Sequence, residues 1–395
     1  MKPLQGIKVL DFSRVLAAPM ATQILAELGA EVIKIERPGK GDETREWEPR
    51  FPKGTSGYFL AFNRGKKSVT LNLKSARGQE IARRLTAEAD LVVENFLAGE
   101  MDAFGLGYED VKKVNPTVIY LSNTGFGHTG PYRDRNGYDT IFQAMSGVMA
   151  LTGHPDGPPA KVGLPYSDLT SGLWIAIAAL SALMGRSRTG EGCHIDLSMM
   201  DVQVSLLTIA AARWFALGDD PQRTGTQHPG RVPSAAFECA DGKWLHISVS
   251  DQHWAGLCAA LDLDDLAADE ALARNAGRVA QRDRVMQALT DAFALQERMP
   301  LAEKLRAAGV PAGEVNSVAE ILADAHVQAR GIVGAFDHPE EGEVPALRTP
   351  FKVAGQDYPE PAAAPVLGAD TDRVLSERLG YSADDIRSLR EERII

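Results

Sequence analysis

Lys8-Val-Leu-Asp-Phe12 reads as a buried strand, Met20 to Leu28 as a helix closed by Gly29, and Glu31-Val-Ile-Lys-Ile-Glu36 as a second strand. That is a βαβ unit. The alternation continues with strand patterns at Ser68–Leu73, Leu91–Val93 and Thr117–Leu121, and with a helical pattern from Gly78 to Ala87 between the first two. Such alternation predicts an α/β fold, a mostly parallel sheet sheathed by helices.

A chain of 395 residues exceeds what one hydrophobic core usually organises. Two domains are therefore expected. The first, residues 1–217, ends in two helices, Leu169–Met184 and Met199–Leu217. Residues 218–235 are rich in turn formers and read as a linker or lid. Residues 236–338 read as a smaller α+β domain. It has a hairpin, Ala236–Cys239 and Trp244–Val249, with Asp241-Gly242 in the turn, and helices at Gln252–Ala260, Arg282–Ala294 and Leu301–Ala308. Residues 339–395 begin with a Pro-rich stretch, Pro339 to Pro365, and end in helical segments at Thr371–Leu379 and Ala383–Glu392.

A formal net charge of −11 argues against a nucleic-acid partner or an anionic membrane surface. An anionic ligand must then be held by local arginines, lysines and helix ends. Cys193, Cys239 and Cys258 show no metal-ligand spacing and cannot all pair, which fits a reducing cytoplasm. The longest apolar stretch, Leu173–Met184, is shorter than the roughly 20 residues a bilayer needs and reads as a buried helix.

Asp168, in Gly163-Leu-Pro-Tyr-Ser-Asp168-Leu-Thr-Ser-Gly172, stands immediately before that apolar stretch. A carboxylate at a helix N-terminus is kept ionised by unpaired N–H groups and can act as a nucleophile. The competing reading is an N-cap and nothing more. Gly125-Phe-Gly-His-Thr-Gly130 matches a dinucleotide-binding pattern. However, it follows a late strand and leads into a polar loop, while the first βα turn, Ser13–Pro19, has no glycine, so nicotinamide and flavin are not expected. Arg37 lies just past the second strand, where parallel sheets bind ligands, and its guanidinium can fork onto a phosphate. Histidine and cysteine spacing predicts no metal site, and neither a G-x-S-x-G elbow nor a Walker loop is present.

Several of these segments, in one order, resemble the class III coenzyme A transferases, the CaiB/BaiF family: Leu10–Pro19, Leu28–Gly39, Gly41–Arg45, Asn63–Ser68, Val93–Phe96, Ser167–Gly172 and Pro365–Gly368. The resemblance implies a Rossmann-like large domain, a small α+β domain, a C-terminal return to the large domain and an interlocked homodimer. It makes Asp168 the catalytic aspartate. Val15, Leu16 and Ala17 would line the acyl-CoA site. Arg37 and Leu71, Asn72 and Leu73 would hold the nucleotide end, with Asn95 and Phe96 flanking the diphosphate and pantetheine arm and Tyr138 lining the site. Coenzyme A and acyl-CoA enter as substrates, with no permanently bound cofactor.

The formate/oxalate branch carries an arginine where this chain has Ala103 and a lysine where it has Asn136, and a glycine run where it has Gly225-Thr-Gln-His228. The pattern is more similar to the branch that moves coenzyme A from succinyl-CoA to dicarboxylates such as glutarate, 3-hydroxymethylglutarate, itaconate or mesaconate. A dicarboxylate needs a cation for its far carboxyl, and Arg14, Arg45, Arg64 and His228 are the candidates. The rival of the same fold is a 2-methylacyl-CoA racemase. Racemases carry Gly-His-Asp where this chain has Gly137-Tyr138-Asp139, and a phenol with a pKa of about 10 is a poor proton acceptor at neutral pH.

Overall fold

The computed structural model describes residues 2–356 and 360–395. Six strands, β1 (Lys8–Asp11), β2 (Glu31–Glu36), β3 (Lys67–Thr70), β4 (Leu91–Glu94), β5 (Ile119–Thr124) and β6 (Cys193–Ser198), form one sheet in the order β3-β2-β1-β4-β5-β6. Every pair in it is parallel. All residues of β4 and β5 are buried, as expected of central strands covered by helices on both faces. The winding reverses between β1 and β4, so the loops leaving them diverge and open a crevice at the carboxyl ends of the strands.

Two strand expectations change. β6 was not expected; it is an edge strand whose residues are mostly half-exposed and include His194 and Asp196, so its apolar signal is diluted. The strand expected over Ser68–Leu73 leaves the sheet at Thr70, and Leu71–Leu73 continue as loop.

The helix bearing Asp168 runs from Tyr166 to Thr189, well beyond the apolar stretch at each end. Length and composition would let it cross a membrane, but its small-residue face packs in the core. Gly172 lies so close to the helix Ala17–Glu27 that a Cβ there would sit 2.8 Å from the Ala17 carbonyl oxygen and 3.1 Å from Met20 Sδ. Expected to be buried, this helix is buried on one side only. Ile175, Ala176 and Ala179 are covered, whereas Leu173, Trp174, Ile177 and Met184 are exposed. The single helix expected over Met199–Leu217 is two, Met199–Ser205 and Thr208–Leu217, with Thr208 at a φ of 31°.

Contacts divide the chain into two units, Met1–Val148 with Lys161–Ala212 and His326–Ile395, and Met149–Ala160 with Arg213–Ala325. These bounds differ from the expected 1–217 and 236–338. The antiparallel hairpin Val333–His338 and Gly342–Leu347 belongs to the first unit because Phe336 and Val344 pack with Phe59, Leu60 and Ala364. Its second strand falls inside the stretch read as Pro-rich, of which residues 357–359 lie outside the described residues. In the second unit, Ser234–Glu238, Trp244–Ser248 and Ala312–Glu314 form an antiparallel sheet. The helices Asp251–Ala260, Arg282–Ala294 and Arg298–Ala307 pack on it around Phe237, Leu257, Leu289 and Leu301. That unit thus combines an antiparallel sheet with helices.

Candidate active site

A cleft of about 1040 Å³ opens at the carboxyl ends of β1, β4 and β5 and is lined by Val15, Leu16, Ala17, Asn95, Phe96, Tyr138 and Asp168. Seven residues that the resemblance assigns, drawn from four separate segments, therefore share one space. Asn136, the departure from the formate/oxalate pattern, lines it too.

Asp168 is the third residue of its helix, one turn inside the N-cap position, which Pro165 occupies. Among the described residues its carboxylate has no hydrogen-bond partner. The N-cap reading is thereby displaced. The helix end is capped from elsewhere, since Asp139 Oδ1 accepts the Ser167 N–H at 2.7 Å and the Asp139 carbonyl accepts the Ser167 hydroxyl at 3.1 Å. The expectation that the helix terminus simply keeps Asp168 ionised is corrected as well. Burial, with the Asp139 charge beside it, pushes the Asp168 carboxyl up to about 7. An unpaired, half-desolvated carboxylate is a reactive one.

Tyr58, on the helix Gly57–Phe62, was missed in the sequence. Burial, with the carboxylates of Asp168 and Asp139 acting on it in turn, raises its phenol above the usual range and keeps it protonated. Its only sequence signal is the Ser56 cap before an apolar turn, which says nothing about its neighbours. Asp139 entered the sequence reading only through the Gly137-Tyr138-Asp139 comparison with the racemases.

The Phe12–Ala17 loop is held in an unusual backbone path. Val15 has a φ of 70°, rare for a β-branched residue, and its N–H points to the Asp42 carboxylate at 3.3 Å. Asn95 clamps the preceding residue twice, accepting from Arg14 N at 2.8 Å and donating to Arg14 O at 2.7 Å. Beneath the loop, fully buried Lys34 donates to Ser13 O at 2.7 Å and pairs with Asp42 at 2.9 Å. Asp11 accepts from Thr22 Oγ1 and pairs with Lys66 at 3.1 Å. Burial alone would raise the carboxyls of Asp11 and Asp42, yet Lys66 and Lys34 hold Asp11, and Lys34 with the Thr44 hydrogen bonds holds Asp42, below the ordinary range. Glu94, pushed up to about 7 by burial, accepts the Phe96 N–H at 2.8 Å and fixes that ring's loop.

Arg37, Leu71, Asn72 and Leu73 line a neighbouring cleft of about 730 Å³, with Phe96 and Arg14 common to both clefts. The Arg14 guanidinium stacks on Phe96 at 4.6 Å and leaves a buried Nε without a partner. Two further candidates are already committed. Arg45 forks onto Glu36 at 2.7 and 2.8 Å, and Arg64 binds Glu27 at 2.8 Å and Leu347 O at 2.9 Å. Neither lines the Asp168 cleft. His228 lies in the second unit, where its Nδ1 accepts from Gly230 N at 3.1 Å. Among the described residues, no group of His, Cys, Asp and Glu is arranged to hold a metal ion.

The family model described as CoA-transferase family III matches residues 4–371. The chain is 40% identical over 394 residues to succinyl-CoA:glutarate CoA-transferase of Mus musculus, covering 98% of this chain and 89% of that one. It is also 40% identical over 367 residues to acetyl-CoA:oxalate CoA-transferase of Acetobacter aceti, covering 92% and 93%. The crystal structure of a CaiB/BaiF family protein from Brucella suis superposes with a TM-score of 0.86 at 41% identity, covering 95% of this chain and 99% of that one.

Proposed function

From the premise that this chain belongs to CoA-transferase family III, and is an enzyme of that kind, we propose that it moves coenzyme A from succinyl-CoA to a free dicarboxylic acid through covalent intermediates on Asp168. The observation that carries the reading is the unpartnered Asp168 carboxylate, raised to about 7, in one cleft with the strained Val15–Ala17 loop. A dicarboxylic acceptor is supported by the names of both relatives; succinyl-CoA as donor is supported by the mouse relative's name.

Exchange of a thioester between carboxylates is nearly thermoneutral, so no ATP is needed if the activated acyl group never meets water. An Asp168 oxygen attacks the donor thioester carbonyl, the C–S bond breaks, and a mixed anhydride and CoA thiolate result. The thiolate then attacks the aspartyl carbonyl, releasing the donor acid and leaving an aspartyl-CoA thioester. The acceptor carboxylate displaces the thiolate to give a second anhydride. Attack of the thiolate on the acceptor's carbonyl forms the product thioester and frees Asp168. In this reading, backbone N–H groups at the helix starts bordering the cleft stabilise the oxyanions.

In this reading the nucleotide end of CoA occupies the cleft of Arg37 and Leu71–Leu73. The arm then passes Arg14 and Phe96, which border both clefts. A second copy of the chain covers the exposed apolar side of Tyr166–Thr189, namely Leu173, Trp174, Ile177 and Met184. Sedimentation should give a dimer; a monomer at micromolar concentration contradicts that assembly.

Incubation with succinyl-CoA or acetyl-CoA and a panel of mono- and dicarboxylic acids, with products read by mass, tests the assignment. New CoA esters of dicarboxylic acids from succinyl-CoA are expected. Exchange confined to acetyl-CoA or to monocarboxylic acids would overturn it.

A further inference from the structure

We propose that Arg135 binds the far carboxylate of the dicarboxylic acid, an assignment that rests on the acceptor class proposed above. The Asp168 cleft is bordered by four carboxylates, those of Glu43, Glu100, Asp139 and Asp168, which repel a dianion. Among the described residues, only two cationic side chains line it, those of Arg14 and Arg135. Arg14 also lines the neighbouring cleft and stacks on Phe96 between the two, which gives it to the CoA arm. Arg135 borders the Asp168 cleft and not the other.

The Arg135 guanidinium is preset for an anion. It lies 3.7 Å from the centre of the Tyr132 ring, and its backbone N–H donates to Tyr132 O at 2.9 Å, so the side chain is braced from its own turn. Among the described residues it forms no ion pair, unlike Arg45 and Arg64. The chain also limits its distance from the chemistry. It lies four positions before Asp139, the residue bonded to Ser167 next to Asp168, so the two Cα atoms are at most about 14 Å apart. A planar, bidentate donor at that reach suits a carboxylate held away from the reacting end.

Arg135→Gln and Arg135→Lys, both at an exposed position, are assayed with glutarate and with valerate as acceptors, and inhibition by free CoA is measured alongside. For Arg135→Gln, the KM for glutarate is expected to rise tenfold or more, with valerate turnover and CoA inhibition unchanged; Arg135→Lys should recover part of the loss. An equal loss with both acids, weakened CoA inhibition, or an unchanged KM for glutarate overturns the assignment. A wild-type enzyme indifferent to the second carboxylate overturns the acceptor class and this assignment together. A wild type that prefers dicarboxylic acids, beside a Gln variant with the same preference, overturns Arg135 alone.

Discussion

Asp139 Oδ1 accepts the backbone N–H of Ser167 at 2.7 Å, so the helix end next to the proposed nucleophile is satisfied by a neighbouring carboxylate and not by Asp168 itself. Two acids thus face one helix terminus, one bonded and one unbonded. Burial first, and then the charge of the bonded acid, raises the proton affinity of the unbonded one.

The first consequence is a pH profile. Attack requires ionised Asp168, so kcat/KM should fall about tenfold per pH unit below an apparent pKa near 7. Asp139→Asn keeps an acceptor oxygen for Ser167 and removes the like charge. Its acid limb should move to lower pH; a limb that stays in place would show that Asp139 does not tune Asp168.

Asp168→Asn should abolish transfer without costing stability at neutral pH. Between the ordinary value of 3.8 and about 7, the folded chain keeps a proton that the unfolded chain releases, so this group's contribution to stability falls as pH rises through that window. Above pH 7, removing it should stabilise the fold by about 1 kcal/mol or more. Thermal unfolding at pH 8 reads this directly, and a cap residue would give the opposite sign.

Gly172 sets how closely the Asp168 helix approaches the Val15–Ala17 segment, since an added Cβ meets the Ala17 carbonyl at 2.8 Å. Gly172→Ala should lower kcat at least tenfold with little change in CoA inhibition, because a nucleophile displaced by a fraction of an ångström loses its attack geometry. Gly185→Ala, on the same helix with open space around it, should retain activity and gain up to about 1 kcal/mol of stability.

Lys34→Met leaves Asp42 buried without its partner beneath the Val15 loop. Denaturant unfolding should show a loss of about 3–5 kcal/mol, the usual cost of orphaning a buried charge. A loss below about 1 kcal/mol would mean that the network is not what holds the loop.

Much of this was legible in the chain because the signals are local. Strands β1, β2, β4 and β5, the helix after Asp168 and the Asp241-Gly242 hairpin follow from apolar periodicity and turn residues a few positions apart. What was not legible is set by distant neighbours. β6 reads as a mixed segment because an edge strand is only half covered, and the hairpin around Val344 is masked by the prolines beside it. Arg45 and Arg64 looked like free cations until Glu36 and Glu27 came within 3 Å of them. The pKa of Asp168 depends on burial and on Asp139, 29 positions earlier in the chain, and no local pattern carries that.

Covalent catalysis is tested most directly by intact-protein mass spectrometry during turnover with succinyl-CoA and an acceptor acid, followed by peptide mapping after hydroxylamine. A CoA-sized adduct that maps to the peptide containing Asp168, converts to a hydroxamate there and is missing in Asp168→Asn is the expected result. Sustained transfer with no adduct at any time, or transfer by Asp168→Asn at the wild-type rate, would contradict it.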